Sequence, residues 1–538
     1  MAALASINKF SEKRVLVIDD MEGMRAQLRM ALTNSGFAKL HVVGSIKEAL
    51  KFMDSNHYDV ILCDYSLGDS TDGQQFLEYL RTNDLVSRNT LFVMITAEQA
   101  YEKVVSASEC APDDYVLKPF TAGQFNVRLE KLLEKQEYFL AIDKATDTKN
   151  WLGVISECDK KLPAKDKYFV ELCKIKGSAL MRDNHPQQAA DLYREVFALR
   201  PVAWARLGLA RALAELGKKN EAQALTREIL ADSPQFMAAY DFLGKLLASS
   251  GEKHAALDVL QKAREVSPGT MSRIRELSTL AVSAGKPEIA EAVMRQALQK
   301  HKHSPVRQAN DYAVLSKALV NQGKAVEALS VVAEAQKSFN DEHSAIVLAA
   351  TESVAHRAAG NHEQAEAALA KAMAVGDLSK LPAQAVLSLA DACFVMGKEE
   401  EAMGLLRHAI QNNHEDESIK DKVHAVLTAA GKDASEATAM IEESTQEVIL
   451  LNNDGVRKAQ AGQLEEATEM LCQAANRLPN NMQIVGNAAL VIALDLVRNG
   501  SAQDKLDKCL RYREALIKKL PNHPKLAQID ELLKQLKQ

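Results

Sequence analysis

Five polar residues in the N-terminal part of this chain could do chemistry together, because each follows or closes a run of apolar residues. They are Asp19, Asp20, Asp64, Thr96 and Lys118. Three carboxylates in one place repel one another and favour a hard divalent cation, and ligands that are all oxygen favour Mg²⁺. A cation, a lysine ammonium and a threonine hydroxyl around one free carboxylate suit the transfer of a phosphoryl group to that carboxylate.

The elements that must position these residues are short strands alternating with helices. Continuous apolar runs are typical of strands buried on both faces of a parallel sheet. The order predicts a five-stranded, doubly wound α/β domain with helices on both faces. Because the carboxyl ends of parallel strands meet at one edge of a sheet, the five side chains should converge on one crevice. The alternative is an ordinary α/β domain whose acids only cap helices. The predicted strands are 14–18, 41–43, 60–64, 91–95 and 115–117, and the predicted helices are 22–35, 46–53, 73–81, 98–107 and one that begins near 121.

This constellation resembles the receiver domain of two-component response regulators, over about residues 13–133. The resemblance implies a flavodoxin-like fold in which Asp64 is the phosphoacceptor and Lys118 holds the phosphoryl group. It also implies that a sensor histidine kinase or a phosphotransfer protein donates that group. The implied Mg²⁺ ligands are Asp19, acting through a metal-bound water, Asp20, Asp64 and the backbone carbonyl of Ser66.

The same resemblance makes Thr96 and Tyr115 the switch pair. The hydroxyl would move toward the phosphoryl oxygen while the ring packs inward, and a cis peptide bond is implied before Pro119. The loop after Asp64 departs from the family pattern, because Gly68 stands where a proline is common and the loop is longer than usual.

The segment 121–165 predicts a helical joint. Residues 124–145 contain neither glycine nor proline and keep an approximate helical period, so the last receiver helix should continue into the next unit as one helix. Residues 149–161 predict its antiparallel partner. The alternative is a short coiled coil used for dimerisation, because apolar heptad seams look similar.

Residues 166–521 carry an internal repeat of the form Gly-x4-Ala-x6-Ala. Glycine ends a first helix, and the two alanines of the second helix let a neighbouring helix approach closely. The pattern resembles the tetratricopeptide repeat and implies an all-α, right-handed solenoid of about ten hairpins, weakest at 414–445 and closed by a capping helix within 522–538. The pattern occurs at Gly251/Ala256/Ala263, Gly285/Ala290/Ala297, Gly323/Ala328/Ala335, Gly360/Ala365/Ala372, Gly397/Ala402/Ala409 and Gly462/Ala467/Ala474.

Such a solenoid offers a concave groove to a protein or peptide client. Several basic residues on successive first helices would suit an acidic segment, although Glu171, Glu215 and Asp391 on the same face weaken that preference. A solvated face with no ligand preference is the alternative. The positions that the repeat family places in the groove are Lys174, Arg211, Lys245, Arg275, Asn310, Lys317 and Arg357.

Composition limits the remaining classes of function. The chain has 538 residues and a net charge of −6, which predicts more than one domain and no binding of nucleic acid. The seven cysteines are scattered without a CxxC pair, which predicts reduced thiols in a cytoplasmic protein. Residues 1–12 predict a tail without a signal peptide, and no stretch is apolar and long enough for membrane insertion.

The sequence therefore predicts a phosphorylation-controlled response regulator whose output is protein–protein interaction, with a homodimer through the receiver domain as a further possibility. It predicts no enzyme activity beyond the receiver's own phosphoryl transfer and hydrolysis. The alternative reverses the flow of information. In that case the solenoid senses a ligand or partner and controls phosphorylation of Asp64, and the protein acts as a phosphorelay intermediate or a phosphate sink.

Overall fold

A computed structural model of the chain describes residues 10–67, 72–83, 85–97, 111–302, 304, 306–374, 378–500, 502–520 and 523–536. The predicted helix at 98–107 and the loop residues 68–71 lie outside this range, as does most of the N-terminal tail. Backbone contacts divide the chain into two units. Unit 1 comprises residues 1–284 and 295–307, and unit 2 comprises residues 285–294 and 308–538.

Unit 1 begins with a five-stranded sheet in the order β2-β1-β3-β4-β5, in which every neighbouring pair is parallel. Every residue of β3 and β4 is buried, as continuous apolar runs require. The predicted doubly wound sheet is therefore confirmed. The strands are β1 (Arg14–Ile18), β2 (Lys39–Val43), β3 (Val60–Asp64), β4 (Leu91–Thr96) and β5 (Asp114–Leu117).

Helices cover both faces of this sheet, because alternate strand residues point to opposite sides. Within the described residues, the helices that lie between the strands are α1 (Glu22–Asn34), α2 (Ile46–Met53) and α3 (Gly73–Thr82). Val15 and Val17 pack with α1 on one face, whereas Leu16 and Ile18 pack with α2 and α3 on the other. The result is a sheet held rigidly enough to position side chains at its carboxyl edge.

The helix α4 (Ala122–Asp147) runs without a break from the receiver into the following hairpin. It starts at a capping box, in which the Thr121 hydroxyl accepts from the backbone N–H of Gln124 and the Gln124 side chain accepts from the backbone N–H of Thr121. Its first half packs on the sheet, whereas Phe139 and Ile142 pack on α5 (Trp151–Lys161). The apolar seam that suggested a dimeric coiled coil is thus buried within the chain.

The end of α4 carries a carboxylate that should make stability depend on pH. Burial raises the pKa of Asp143 to about 6, and nearby Asp147 adds to the shift. Since the folded state holds this proton more tightly than the unfolded state, the free energy of unfolding should fall as pH rises from about 4 to 6. We expect Asp143→Asn to be more stable than the wild type by about 1–2 kcal/mol at pH 7.5.

Urea denaturation at pH 4 and at pH 7.5 checks this expectation, with the exposed Asp258→Asn as the matched control. The advantage of Asp143→Asn should vanish at pH 4. If Asp143→Asn were more stable than the wild type by the same amount at both pH values, the buried charge of Asp143 would not be the cause of the difference.

The rest of unit 1 is built of antiparallel helix pairs. Those helices are α6 (Phe169–Arg182), α7 (Pro186–Leu199), α8 (Ala203–Glu215), α9 (Lys219–Asp232), α10 (Met237–Ser249), α11 (Lys253–Val266), α12 (Met271–Ser283) and α13 (Pro287–Lys300), and the division between the units falls within α13. A short 3₁₀ turn, Leu162–Ala164, precedes α6.

Unit 2 continues the same pairing. Its helices are α14 (Ala309–Val320), α15 (Ala325–Ser338), α16 (Glu342–Ala358), α17 (His362–Met373), α18 (Ala383–Val395), α19 (Glu399–Asn412), α20 (Glu417–Ala429), α21 (Ala434–Gln460), α22 (Leu464–Arg477), α23 (Met482–Asn499), α24 (Gln503–Lys519) and α25 (Pro524–Gln535), with a 3₁₀ turn at Leu378–Lys380. Leu526 and Ile529 of α25 are buried in the apolar cluster at the end of this unit.

The repeat pattern is explained by backbone and packing geometry. Gly251 and Gly285 have φ values of +83° and +71°, a region in which a side chain is strained. Both alanines of every predicted motif are buried, with no more than 3% of any one exposed. The predicted helical repeats are confirmed.

One element differs from the prediction. Helix α21 is 27 residues long and runs through position 445, where the weak repeat was expected to end. The second helix of one hairpin and the first helix of the next are therefore a single helix. The chain has neither glycine nor proline from 434 to 454, so nothing local ends the helix there.

Candidate functional site

Three carboxylates meet at the carboxyl edge of the sheet. Asp19 follows β1 and is fully buried, Asp64 ends β3 and is 6% exposed, and Asp20 faces solvent. One carboxylate oxygen from each lies within 4.8 Å of those from the other two. β1 and β3 are hydrogen-bonded neighbours in the sheet, which is why residues far apart in sequence come together.

Lys118 supplies the positive charge of this site. Its Nζ lies 2.9 Å from Asp19 Oδ2 and 3.1 Å from Asp64 Oδ1. Burial opposes the charged ammonium, but the hydrogen bonds to these two carboxylates outweigh it and raise the pKa of Lys118. Burial raises the pKa of the Asp64 carboxyl, whereas the hydrogen bond and the positive charge of Lys118 lower it. Even with the Arg25 guanidinium, which donates to the backbone carbonyl of Asp19, two positive charges do not balance three carboxylates, so the site favours a further cation.

The donor set fits Mg²⁺, because all side-chain ligands are carboxylate oxygens and Asp20 is open to solvent. Ser66, whose backbone carbonyl the family resemblance adds, lies two residues after Asp64 and is exposed. An ion held by Asp20 and Asp64 would neutralise the charge that Lys118 leaves unbalanced.

Two residues that the sequence analysis missed hold Asp19 in place. The backbone N–H of Met21 donates to Asp19 Oδ1 at 2.8 Å. The Arg25 guanidinium donates to the backbone carbonyl of Asp19 at 2.7 Å. The sequence did contain one signal for this contact, because Arg25 lies in the first turn of α1, a few residues after Asp19 and Asp20.

The expected switch residues lie on neighbouring strands. Thr96 ends β4 with 5% of its surface exposed, and Tyr115 lies in β5 with 6% exposed. The Tyr115 hydroxyl donates to Gln74 Oε1 on α3 at 3.3 Å. The backbone N–H of Lys118 donates to the Thr96 carbonyl at 2.7 Å, and the peptide bond between Lys118 and Pro119 is cis.

Gly73, also missed from the sequence, places α3 against the acidic site. Its backbone N–H donates to the Tyr65 carbonyl at 2.8 Å. A Cβ at this position would lie 2.4 Å from the backbone oxygen of Asp64 and 2.8 Å from Met94 Sδ. Only glycine lets α3 begin so close to the Asp64 backbone.

Some of the residues that the sequence analysis predicts for the groove of unit 1 make contacts within the chain. Lys174 and Lys245 are exposed, and the Lys245 ammonium lies 3.9 Å from Glu276. The Arg211 guanidinium lies 5.8 Å from the centre of the Phe242 ring. Arg275 donates to the backbone carbonyl of Val306 at 2.7 Å.

The groove positions of unit 2 are bound to their own chain. The Lys317 ammonium lies 2.8 Å from both carboxylate oxygens of Asp391, which joins α14 to α18. Asn310 accepts a hydrogen bond from Gln384 at 2.9 Å between the same two helices. Arg357 is exposed and hydrogen-bonds the side chain of His362. A client in this part of the groove would have to displace the α14–α18 contacts.

Comparison with known families gives two matches along the chain. Residues 15–130 match the response regulator receiver domain. Residues 176–235, 207–269 and 351–416 match the tetratricopeptide repeat. Among the helices that the structure describes, none is long and apolar enough to cross a membrane.

Similar proteins include the chemotaxis protein CheY of Pseudomonas aeruginosa, 26% identical over 122 residues, which are 23% of this chain and 97% of that protein. The structure of the chemotaxis response regulator CheY4 of Vibrio cholerae is 22% identical, over 22% of this chain and 98% of that one, with a TM-score of 0.21. A tetratricopeptide repeat protein from Parabacteroides merdae is 14% identical, over 50% of this chain and 98% of that one, with a TM-score of 0.32.

Proposed function

Since the chain joins a response regulator receiver domain to tetratricopeptide repeats, we propose that it is a response regulator whose output is the binding of a protein client. A sensor histidine kinase or a phosphotransfer protein donates a phosphoryl group to Asp64. The observation that carries this proposal is the position of the Lys118 ammonium between the carboxylates of Asp19 and Asp64.

In the proposed reaction, a carboxylate oxygen of Asp64 attacks the phosphorus of a phosphohistidine in line with the leaving nitrogen. The P–N bond breaks, a P–O bond forms, and the released imidazole takes up a proton. Lys118 moves from the carboxylate of Asp64 to an oxygen of the phosphoryl group. Asp20 and Asp64 would hold Mg²⁺, which supplies the remaining neutralisation of charge. The Thr96 hydroxyl donates to another phosphoryl oxygen.

For the client, the proposal favours the groove of unit 1. Lys174, Arg211 and Lys245 are exposed on α6, α8 and α10, the first helices of consecutive pairs. Their charges suit an acidic segment of a partner protein. In unit 2, Lys317 forms an ion pair with Asp391 that joins α14 to α18.

A capture experiment with the full chain tests the proposal. Wild type and Asp64→Asn are each incubated with and without Mg²⁺ and a small phosphoryl donor, and both phosphoryl incorporation and captured proteins are measured. We expect incorporation and a changed set of partners in the wild type alone, and loss of the partner in Arg211→Glu. Phosphoryl incorporation in Asp64→Asn equal to that of the wild type would refute Asp64 as the phosphoacceptor. The molecular mass of the protein in the same samples tests whether the receiver forms a homodimer.

The reverse direction of signalling is a second candidate, because a continuous helix such as α4 would carry a displacement in either direction. Here a ligand of the repeats would control the phosphorylation of Asp64. Identical partners in all four samples, together with a phosphorylation rate that changes when partners are added, would support this candidate instead.

A further inference from the structure

Helix α3 connects the acidic site to the repeats within unit 1. Its first residue, Gly73, contacts the backbone of Asp64, and Gln74 accepts a hydrogen bond from Tyr115. Further along the same helix, Glu78 Oε1 accepts a hydrogen bond of 2.7 Å from the hydroxyl of Ser272 in α12. A short rigid helix therefore touches the phosphoacceptor, an expected switch residue and the solenoid.

Glu78 places a carboxylate beside the N-terminus of a helix of the repeats. Burial raises the pKa of Glu78, whereas the hydroxyl and the backbone N–H of Ser272, the second residue of α12, act in the opposite direction. Thr270, the residue at the N-cap of α12, makes no capping hydrogen bond with its own side chain. A carboxylate at a helix N-terminus satisfies free N–H groups and interacts favourably with the helix dipole. The receiver thus places a negative charge beside the first turn of α12.

A second contact lies on the same face of α3. Asp72, Gln75 and Glu78 are three residues apart, so they share one side of the helix. A Cβ at Gly269 would lie 3.7 Å from Gln75 Nε2 and 3.7 Å from Lys300 Nζ. Burial raises the pKa of Asp72, the N-cap of α3, and the Lys300 ammonium is one of the groups that act in the opposite direction. The contact therefore includes the residues that shape the start of α3.

The repeat side of this contact is rigid. Arg273, next to Ser272, is 5% exposed and forms two hydrogen bonds of 2.6 and 2.8 Å with the carboxylate of Asp241 in α10. Because the first turn of α12 is fixed to α10, a movement of α3 breaks the contact with Ser272 and cannot carry α12 with it.

We propose that the Glu78–Ser272 contact is a latch that holds the receiver on the repeats and opens when Asp64 is phosphorylated. This inference rests on the proposed function of Asp64. Phosphorylation draws the Thr96 hydroxyl toward the phosphoryl group and repacks the Tyr115 ring, so the hydroxyl of Tyr115 leaves Gln74. The phosphoryl group adds charge beside the Asp64 backbone, on which Gly73 packs. Both changes displace α3, and the first turn of α12 loses the contact with the Glu78 carboxylate.

Hydrogen–deuterium exchange of the full chain tests the latch by following the amides of α12. In the wild type, beryllofluoride with Mg²⁺ should speed exchange in the first turn about two- to fivefold, the effect of losing a carboxylate near a helix N-terminus. Glu78→Ala should show that speed without beryllofluoride and no further response. Ser272→Ala removes the hydroxyl but leaves the Glu78 carboxylate near the helix N-terminus, and it should give a smaller increase. The exposed Glu134→Ala is the matched control and should behave as the wild type.

Two results would overturn the latch. One is equal α12 exchange in Glu78→Ala and Glu134→Ala. The other is unchanged α12 exchange in wild-type protein whose Asp64 demonstrably carries the phosphoryl group or its analogue. If Asp64 takes up no phosphoryl group at all, the proposed function fails, and this result is distinct from the two results that overturn the latch.

Discussion

Replacing Lys118 with alanine should slow phosphoryl transfer to Asp64 by about 100-fold, the usual effect of removing one preorganised charge from such a site. The Lys118 ammonium lies within 3.1 Å of both Asp19 and Asp64 and is only 13% exposed, so water cannot replace it well. In the transition state this charge stabilises the oxygens of the transferred group, where a low local dielectric strengthens the interaction.

The rate of phosphoryl incorporation from a small donor at saturating Mg²⁺ measures this effect directly. Lys131→Ala, an exposed lysine of α4, is the matched control and should react as the wild type does. Lys118→Ala should also unfold more readily in EDTA than in Mg²⁺, because the cation then becomes the remaining balance for three carboxylates. A rate within threefold of the wild type would show that Lys118 does not hold the reacting group.

Replacing Gly73 with alanine should destabilise the receiver by about 1–3 kcal/mol, because the new methyl group enters a space that is already filled. Its Cβ would lie 2.4 Å from the backbone oxygen of Asp64 and 3.2 Å from Cys63 Sγ. A backbone oxygen cannot rotate away as a flexible side chain can, so α3 and Asp64 must separate. We expect phosphoryl transfer to slow by about 10- to 100-fold, since small misplacements of a reacting group are costly.

Gly123→Ala provides the matched control, because Gly123 also lies in the first turn of a helix and nothing is within 4 Å of its would-be Cβ. Alanine there should stabilise the protein by about 0.5 kcal/mol, since it restricts the unfolded chain. The denaturation midpoints and the rates of phosphoryl incorporation of Gly73→Ala and Gly123→Ala test this prediction. Equal midpoints for both would mean that the β3–α3 junction adjusts freely.

The sequence by itself determined the features that depend on local pattern. Continuous apolar runs predicted the parallel sheet, and acids at the ends of β1 and β3 predicted that Asp19, Asp20 and Asp64 would meet. The spacing of glycine and alanine predicted the helix pairs, because the turn and the close approach each need a particular residue at a particular position. These signals lie within one element or at its end, so no knowledge of packing was needed.

Only the tertiary structure decided which surfaces meet. Glu78 and Ser272 are 194 positions apart, and Lys317 and Asp391 are 74 positions apart. The sequence analysis placed Lys317 and Asp391 on one face but could not pair them, and it gave Glu78 no role. Such contacts depend on the packing angles accumulated over several helix pairs, which no local pattern specifies. The contact made by Gly73 is of the same kind, because its need for glycine arises from the Asp64 backbone of a neighbouring element.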